Sequence, residues 1–263
     1  SLPVDAYAGL KKYADSLGII FFSTPFSIGD VQILEKIDVE LYKIASADIV
    51  DHILIRAVAK TGKPVILSTG AASIQDIKDA IAVIKAEGND KIVLQHCMLS
   101  YPCDDKDANL KKMLVIQEKF PDIPVGYSDH TRGTLIPAIA AALGAKTIEK
   151  HYTVDKSLPD SPDHGFGVDP EQLKELVDAV RRAEKSVGSF VDGYYPAEEA
   201  AHKLARKSVV SLRNIKKDEV ITADMIACKR PGTGISPKDF DKVVGKKAKV
   251  DIEDDQVITY DMI

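Results

Sequence analysis

The sequence predicts an α/β fold: a (β/α)8 TIM barrel, six of whose eight strand-helix units lie in this chain, followed by a small β-rich domain. Three observations predict it. Short, nearly continuous apolar runs alternate with longer stretches of helical periodicity from about residue 19 to residue 188, as expected of a parallel sheet covered on both faces. Each apolar run ends in hydroxyls, a lysine, a carboxylate or a histidine, and barrel enzymes place their chemistry at that end of their strands. Beyond residue 189 the texture changes to turns and short β runs, which marks a separate unit.

The chain opens on a helix over residues 7–16, and strands are read at 19–23, 41–44, 64–68, 91–95, 124–127 and 147–151. Between the third and fourth strands, Ile74, Ile77, Ile81 and Ile84 recur three to four residues apart on one helical face. Ser73 with Asp76 three residues later predicts a capping box at that helix's start. Leu173, Leu176, Val177 and Val180 mark the last helix of the series. A closed barrel needs eight strands, and a six-stranded piece would leave two raw sheet edges. The expectation is therefore that two N-terminal units are missing from the barrel. An open, doubly wound sheet is the other architecture compatible with the same alternation. The predicted domains are 1–188 for the N-terminally incomplete barrel, 189–206 for a linker with a short helix, and 207–263 for the small module. In that module strands are read at 208–211, 249–251 and 257–258, and residues 222–226 are read among its turns.

The composition excludes several classes of function. A net charge of −5 over 263 residues argues against nucleic acid or an anionic membrane as the main partner. No apolar run reaches the length of a membrane span, and the first residues lack a signal-peptide plan. Three cysteines, Cys97, Cys103 and Cys228, make neither a disulfide framework nor a cysteine-rich zinc site. Free thiols without a secretory signal predict a cytoplasmic protein.

The strand ends carry the candidate chemistry. His130 and His151 end successive strands, which run roughly 4.8 Å apart, so the two imidazoles can reach one ion. Two neutral nitrogen donors with open positions suit Mn²⁺, Mg²⁺, Co²⁺ or Zn²⁺; two histidines hydrogen-bonded at a barrel rim is the plainer reading. His96 is expected to point into the barrel, hydrogen-bonded or as a third ligand, and His52 and His202 are expected at the surface. Lys43 within a strand is costly unless it meets an anion. With Thr24, Ser46 and Ser128 it could cradle a phosphate or carboxylate, act as a Schiff-base lysine, or pair with Asp48.

These motifs resemble those of the sialic acid synthase family, which includes synthases of N-acetylneuraminate, legionaminate and pseudaminate and spore-coat polysaccharide proteins. The resemblance rests on FFSTPFS at 21–27, YKIASAD at 42–48, KPVILSTG at 63–70, HCMLSYP at 96–102, GYSDHT at 126–131, EKHYT at 149–153 and SPDHGF at 161–166, in the family's order. SVVSLRNIKKDEVIT at 208–222 and CKRPGTGISP at 228–237 resemble the family's antifreeze-like (SAF) module. The resemblance implies that His130 and His151 bind a divalent metal, with Mn²⁺ expected and Mg²⁺ or Co²⁺ also able to serve. It implies that Thr24, Lys43, Ser46 and Ser128 hold phosphoenolpyruvate, and that Asp48, Tyr101 and Asp163 contact an N-acyl amino sugar. Asp48 stands where the family usually has a glutamate. The family's first two strands would add a glutamate, a lysine and an asparagine that this chain does not contain. Met98 and Leu99 replace the polar residues the family usually carries after His-Cys, and Ser100 is the residue that could stand in for them. Arg230 matches an arginine that a swapped partner subunit lays over the sugar's N-acyl group, which implies a homodimer.

The implied reaction condenses phosphoenolpyruvate with an N-acetylmannosamine-like sugar, giving a nine-carbon 2-keto-3-deoxy acid and phosphate. Lys43, Asp48, His130 and His151 are the residues assigned to catalysis. A lysine-dependent aldolase and a non-catalytic sugar-binding homologue are the rival readings.

Overall fold

A computed structural model describes residues 3–159 and 161–263, in two compact units, Ser1–Gly188 and Ser189–Ile263. The first unit is built on five parallel strands: β1 (Tyr42–Ile44), β2 (Val65–Ser68), β3 (Ile92–Cys97), β4 (Val125–Asp129) and β5 (Ile148–Lys150). Their spatial order is their order in the sequence, β1-β2-β3-β4-β5, each pair in parallel register. A doubly wound sheet reverses its strand order at a switch point. No reversal occurs among these strands, so the sheet curls in one direction with its helices on one face, as a barrel does.

The helices are α1 (Val4–Ser16), α2 (Ile28–Lys36), α3 (His52–Ala59), α4 (Ile74–Ala86), α5 (Leu110–Lys119), α6 (Leu135–Ala142) and α7 (Pro170–Val187). In α4 the expected face is buried through Ile77, Ile81 and Ile84. The capping box forms: Ser73 Oγ accepts from Asp76 N at 3.1 Å, and Asp76 Oδ2 accepts from Ser73 N at 2.7 Å. Two orphan donors at the helix start are thereby satisfied. The core lies between helices and sheet. It joins Tyr42, Ile44, Leu67, Leu94 and Tyr127 from the strands to Leu54, Ile77, Ile84, Met113 and Ile116 from the helices. Because side chains alternate along a strand, the residues between these strand positions face the other way, into the curl. Register places Lys43 beside Ile66, Ser68 beside Gln95, Cys97 beside Ser128, and Ser128 beside Glu149 on that inner face.

The expected first strand at 19–23 does not form. Only Ser23 bridges Tyr42 in parallel, and Ile19, Ile20 and Phe22 are exposed. A segment with a neighbour on one side has half the ladder of an inner strand, and Pro25 closes it two residues past the bridge.

The second unit contains a 3₁₀ turn (Pro196–Glu198), α8 (Glu199–Ala205), the antiparallel pair β6 (Ser208–Ser211) and β7 (Ile226–Lys229), and a short α9 (Phe240–Val243). Its own core gathers Val209, Ile215, Ile221, Ile226, Ile252 and Ile258. Strand β7 departs from the sequence expectation, which has turns over 222–226, where β7 begins. The strand expected at 249–251 does not form, the nearest pairing being the isolated bridge of Ile252 to Ile215, and the strand expected at 257–258 is reduced to the isolated bridge of Val257 to Val210. Outside the β6–β7 ladder, strand pairing in this module is made by single bridges between turns. Among the described residues no helix is long and apolar enough to cross a membrane.

Candidate active site

The inner face at the C-terminal strand ends gathers polar side chains from all five strands. Lys43 of β1 reaches across the curl to Glu149 of β5, Nζ to Oε1 at 3.4 Å. Ser46 opens the 3₁₀ turn after β1 and accepts the Gly70 N–H at 2.9 Å. A Cβ at Gly70 would stand 2.8 Å from Ser46 Oγ, so only glycine lets the β2 loop close on this hydroxyl. The hydroxyls of Ser46 and Ser128 both lie against the Cys97 thiol, whose pKa burial raises above the ordinary thiol value. Lys43 thus shares one patch with Ser46, Cys97, Ser128 and Glu149. Its carboxylate partner is Glu149 and not Asp48, because β5 curls round to face β1.

Cys97 Sγ also lies 3.8 Å from His130 Nδ1, which joins this patch to the histidine pair. The rings of His130 and His151 are edge to face, 5.1 Å between centroids. His130 Nδ1 is 2.7 Å from the Met98 carbonyl. A carbonyl only accepts, so Nδ1 carries the proton and Nε2 keeps its lone pair. Burial holds the His130 imidazole below its ordinary pKa, outweighing the Met98 carbonyl, and neighbouring His151 acts in the same direction as burial. His151 Nδ1 stands 3.3 Å from Asp163 Oδ2, which leaves its Nε2 as the second donor. Histidine ligands are commonly oriented through their other nitrogen in this way. Two such nitrogens with open positions fit a divalent ion that keeps oxygen ligands. Among the described residues no group of three or more His, Cys, Asp and Glu is placed to hold an ion. Tyr101 covers the pair, its ring 4.1 Å from that of His130 and 5.8 Å from that of His151, and Phe166 packs 5.1 Å from the His151 ring.

Other expected residues lie apart from these contacts. Asp48 ends the 3₁₀ turn after β1 with its Oδ2 buried and without a hydrogen-bond partner among the described residues. Burial, and then Asp51, raises its carboxyl pKa. Thr24, one residue past the Ser23 bridge, lines a cleft with Tyr7 of α1 and Asp30 and Ile33 of α2. Arg230 is exposed in the second unit, where its Nε donates to Ala205 O at 3.0 Å. His96 does not point into the curl: it faces the helices, with Nε2 3.0 Å from Ala108 O and its ring against Tyr127. It sits one residue off the parity of Gln95 and Cys97, which alone excludes it from the inner face. His52 is exposed at the start of α3, and His202 is half-buried, stacked on Tyr194. The Ser100 hydroxyl donates to Pro102 O at 3.0 Å, within its own loop.

Sequence reasoning missed Glu149, Cys97, Ser68 and Gln95 as inner-face residues. Ser68 and Gln95 are paired in register, and their buried Oγ and Oε1 have no hydrogen-bond partners among the described residues. Strand parity was the available signal, since Glu149 shares a face with His151, and Gln95 and Cys97 share one with Ser128.

The NeuB family model matches residues 1–192 and the SAF domain model residues 206–263. An uncharacterized protein of Methanocaldococcus jannaschii is 45% identical over 99% of this chain and 77% of its own length. The pseudaminic acid synthase of Campylobacter jejuni is 37% identical over 95% of this chain and 72% of its own. The crystal structure of N-acetylneuraminic acid synthetase from Leptospira borgpetersenii superposes with a TM-score of 0.72 at 37% identity, covering 76% of this chain and 70% of that one. The chain belongs to the NeuB family of sialic-acid-type synthases and carries a SAF domain.

Proposed function

We propose that this protein catalyses the metal-dependent condensation of phosphoenolpyruvate with an N-acetylmannosamine-like amino sugar, releasing phosphate and a sialic-acid-type 2-keto-3-deoxy acid. The observation that carries the reading is the His130–His151 pair, each ring tied through Nδ1 and with Nε2 unpaired among the described residues, opening onto the patch of Lys43, Ser46 and Ser128. An ion bound at the two Nε2 atoms would supply Lewis acidity at the sugar's aldehyde oxygen. Lys43 and the two serine hydroxyls hold the phosphate and carboxylate of phosphoenolpyruvate, a task suited to charge-assisted hydrogen bonds. Asp48, whose buried oxygen has no hydrogen-bond partner among the described residues, accepts from a sugar hydroxyl or N–H, and Tyr101 and Asp163 border the same substrate. Carbon 3 of phosphoenolpyruvate bonds to the aldehyde carbon, water adds at carbon 2, and phosphate leaves with the bridging oxygen.

Thr24 completes the phosphoenolpyruvate contacts in this reading. Arg230 is supplied by the partner subunit of a homodimer and covers the N-acyl group, where its planar donors suit an amide oxygen. Mn²⁺ is the proposed ion, and free thiols on Cys97, Cys103 and Cys228 suit a cytoplasmic, reducing setting.

The test uses phosphoenolpyruvate labelled with ¹⁸O at the bridging position, a panel of N-acyl amino sugars and added Mn²⁺. Label recovered in phosphate together with a sugar-dependent 2-keto-3-deoxy acid is the expected result. Sugar binding without turnover, or borohydride trapping of pyruvate on Lys43, overturns it.

A further inference from the structure

On the helix-facing side of the same strand ends lies a buried ion pair that touches neither the inner face nor solvent. Asp129 and Lys150 are register partners on β4 and β5. Lys150 Nζ lies 2.5 Å from Asp129 Oδ2, with the two side chains 2% and 0% exposed. Asp129 Oδ1 also accepts from Thr131 N at 3.1 Å and Thr131 Oγ1 at 2.9 Å, and Lys150 donates to the Thr131 carbonyl. The residues enclosed by this network are informative. Asp129 and Thr131 flank His130, and Lys150 immediately precedes His151. The backbone on both sides of one inward imidazole is therefore tied to the residue before the other.

A buried ion pair is an expensive way to stabilise a sheet, since apolar replacements of similar volume are often as stable or more so. Two neighbouring strands also slide or twist most easily at their ends, where the ladder stops. We propose that Asp129, Lys150 and Thr131 are positioning residues that set the separation of the His130 and His151 rings, and through it the affinity for a divalent cation. The geometric part stands on the network alone; the cation part rests on the function proposed above.

The test replaces the pair by apolar residues, Asp129→Leu with Lys150→Met, and reads three quantities in the whole protein. These are thermal stability, the nuclear Overhauser contact between the His130 and His151 rings with no metal added, and Mn²⁺ affinity by electron paramagnetic resonance. The expected result is an unchanged or raised melting temperature, a lost ring-to-ring contact, and Mn²⁺ binding weakened about tenfold or more, as for other outer-shell changes. If the double variant does not fold, Thr131→Val is read instead, with a weakened ring contact and several-fold weaker Mn²⁺ binding expected at near-normal stability. An unchanged ring contact in a folded variant overturns the proposal. If the wild-type protein binds no Mn²⁺ while the ring contact is lost in the variant, the metal reading falls and the positioning role stands.

Discussion

Lys43 Nζ stands 3.4 Å from Glu149 Oε1, although their strands are the two outer members of the five-stranded sheet. On a flat sheet four strand spacings would separate those backbones by about 19 Å, beyond the combined reach of the two side chains. Their meeting measures the curl directly. It also places a cation and a carboxylate together on the inner face of the sheet.

Replacing Lys43 tests its proposed role. Its side chain is largely buried, and hydrogen bonds to charged groups contribute about 1.5–3 kcal/mol. Lys43→Met is therefore expected to raise KM for phosphoenolpyruvate by roughly tenfold to a hundredfold, with a smaller change in KM for the sugar. Steady-state kinetics with each substrate varied in turn give the comparison. Equal effects on both substrates would dissociate Lys43 from the anion.

Metal removal addresses the histidine pair. Treatment with chelator is expected to abolish turnover, and added Mn²⁺ to restore it in the wild type but not in His130→Ala. Undiminished activity in the stripped enzyme, or in the variant, rules out the metal role.

His96 makes stability depend on pH. Its imidazole is buried against Ala108 O, and burial lowers its pKa in the folded state. In the unfolded chain it titrates near its ordinary value of about 6.5. Below that value the unfolded state binds the proton more readily, so stability falls as pH falls from about 6.5. His96→Gln keeps a donor for Ala108 O and removes the titration. The wild type should lose more stability than the variant between neutral and mildly acidic pH. Parallel denaturant midpoints across that range would show no coupling at this site.

Gly126 is demanded by close packing of β4 on β5. A Cβ there would stand 1.9 Å from Thr147 Oγ1 and 2.6 Å from the Thr147 carbonyl. Gly126→Ala is expected to destabilise at or beyond the upper end of the about 1–3 kcal/mol typical of overpacking. Adding Thr147→Ala should not rescue it, because the backbone oxygen remains. Full recovery of the melting temperature in the double variant would place the conflict in the side chain alone.

The proposed swapped dimer predicts complementation. Arg230→Ala and His130→Ala should each be inactive, and mixing them under subunit exchange should restore activity. The recovered site would combine an intact inner face from one chain with an intact arginine from the other. Confirmed exchange with no recovered activity refutes the arrangement.

Local pattern carried much of the fold. The period of apolar residues placed α4, and the spacing of Ser73 and Asp76 placed its cap, because both are set within a few residues along the chain. Strand ends were legible for the same reason, so Lys43, Ser128, His130 and His151 could be named from sequence. The β7 strand and the bridged turns of the second unit were not, since their pairing depends on partners distant in sequence and not on any local period. The same limit applied at the site. Sequence offered Lys43 a partner five residues away in Asp48, whereas the curl of the sheet delivers Glu149 from the far edge. Its place among polar residues points His96 inward, whereas its parity with the core residues Leu94 and Ile92 turns it to the helices. Sequence by itself determined which side chains stand at the strand ends, because alternation and turn chemistry are local. Only the tertiary structure decided which of them meet, because curvature and register are properties of the whole sheet and are fixed when the core packs.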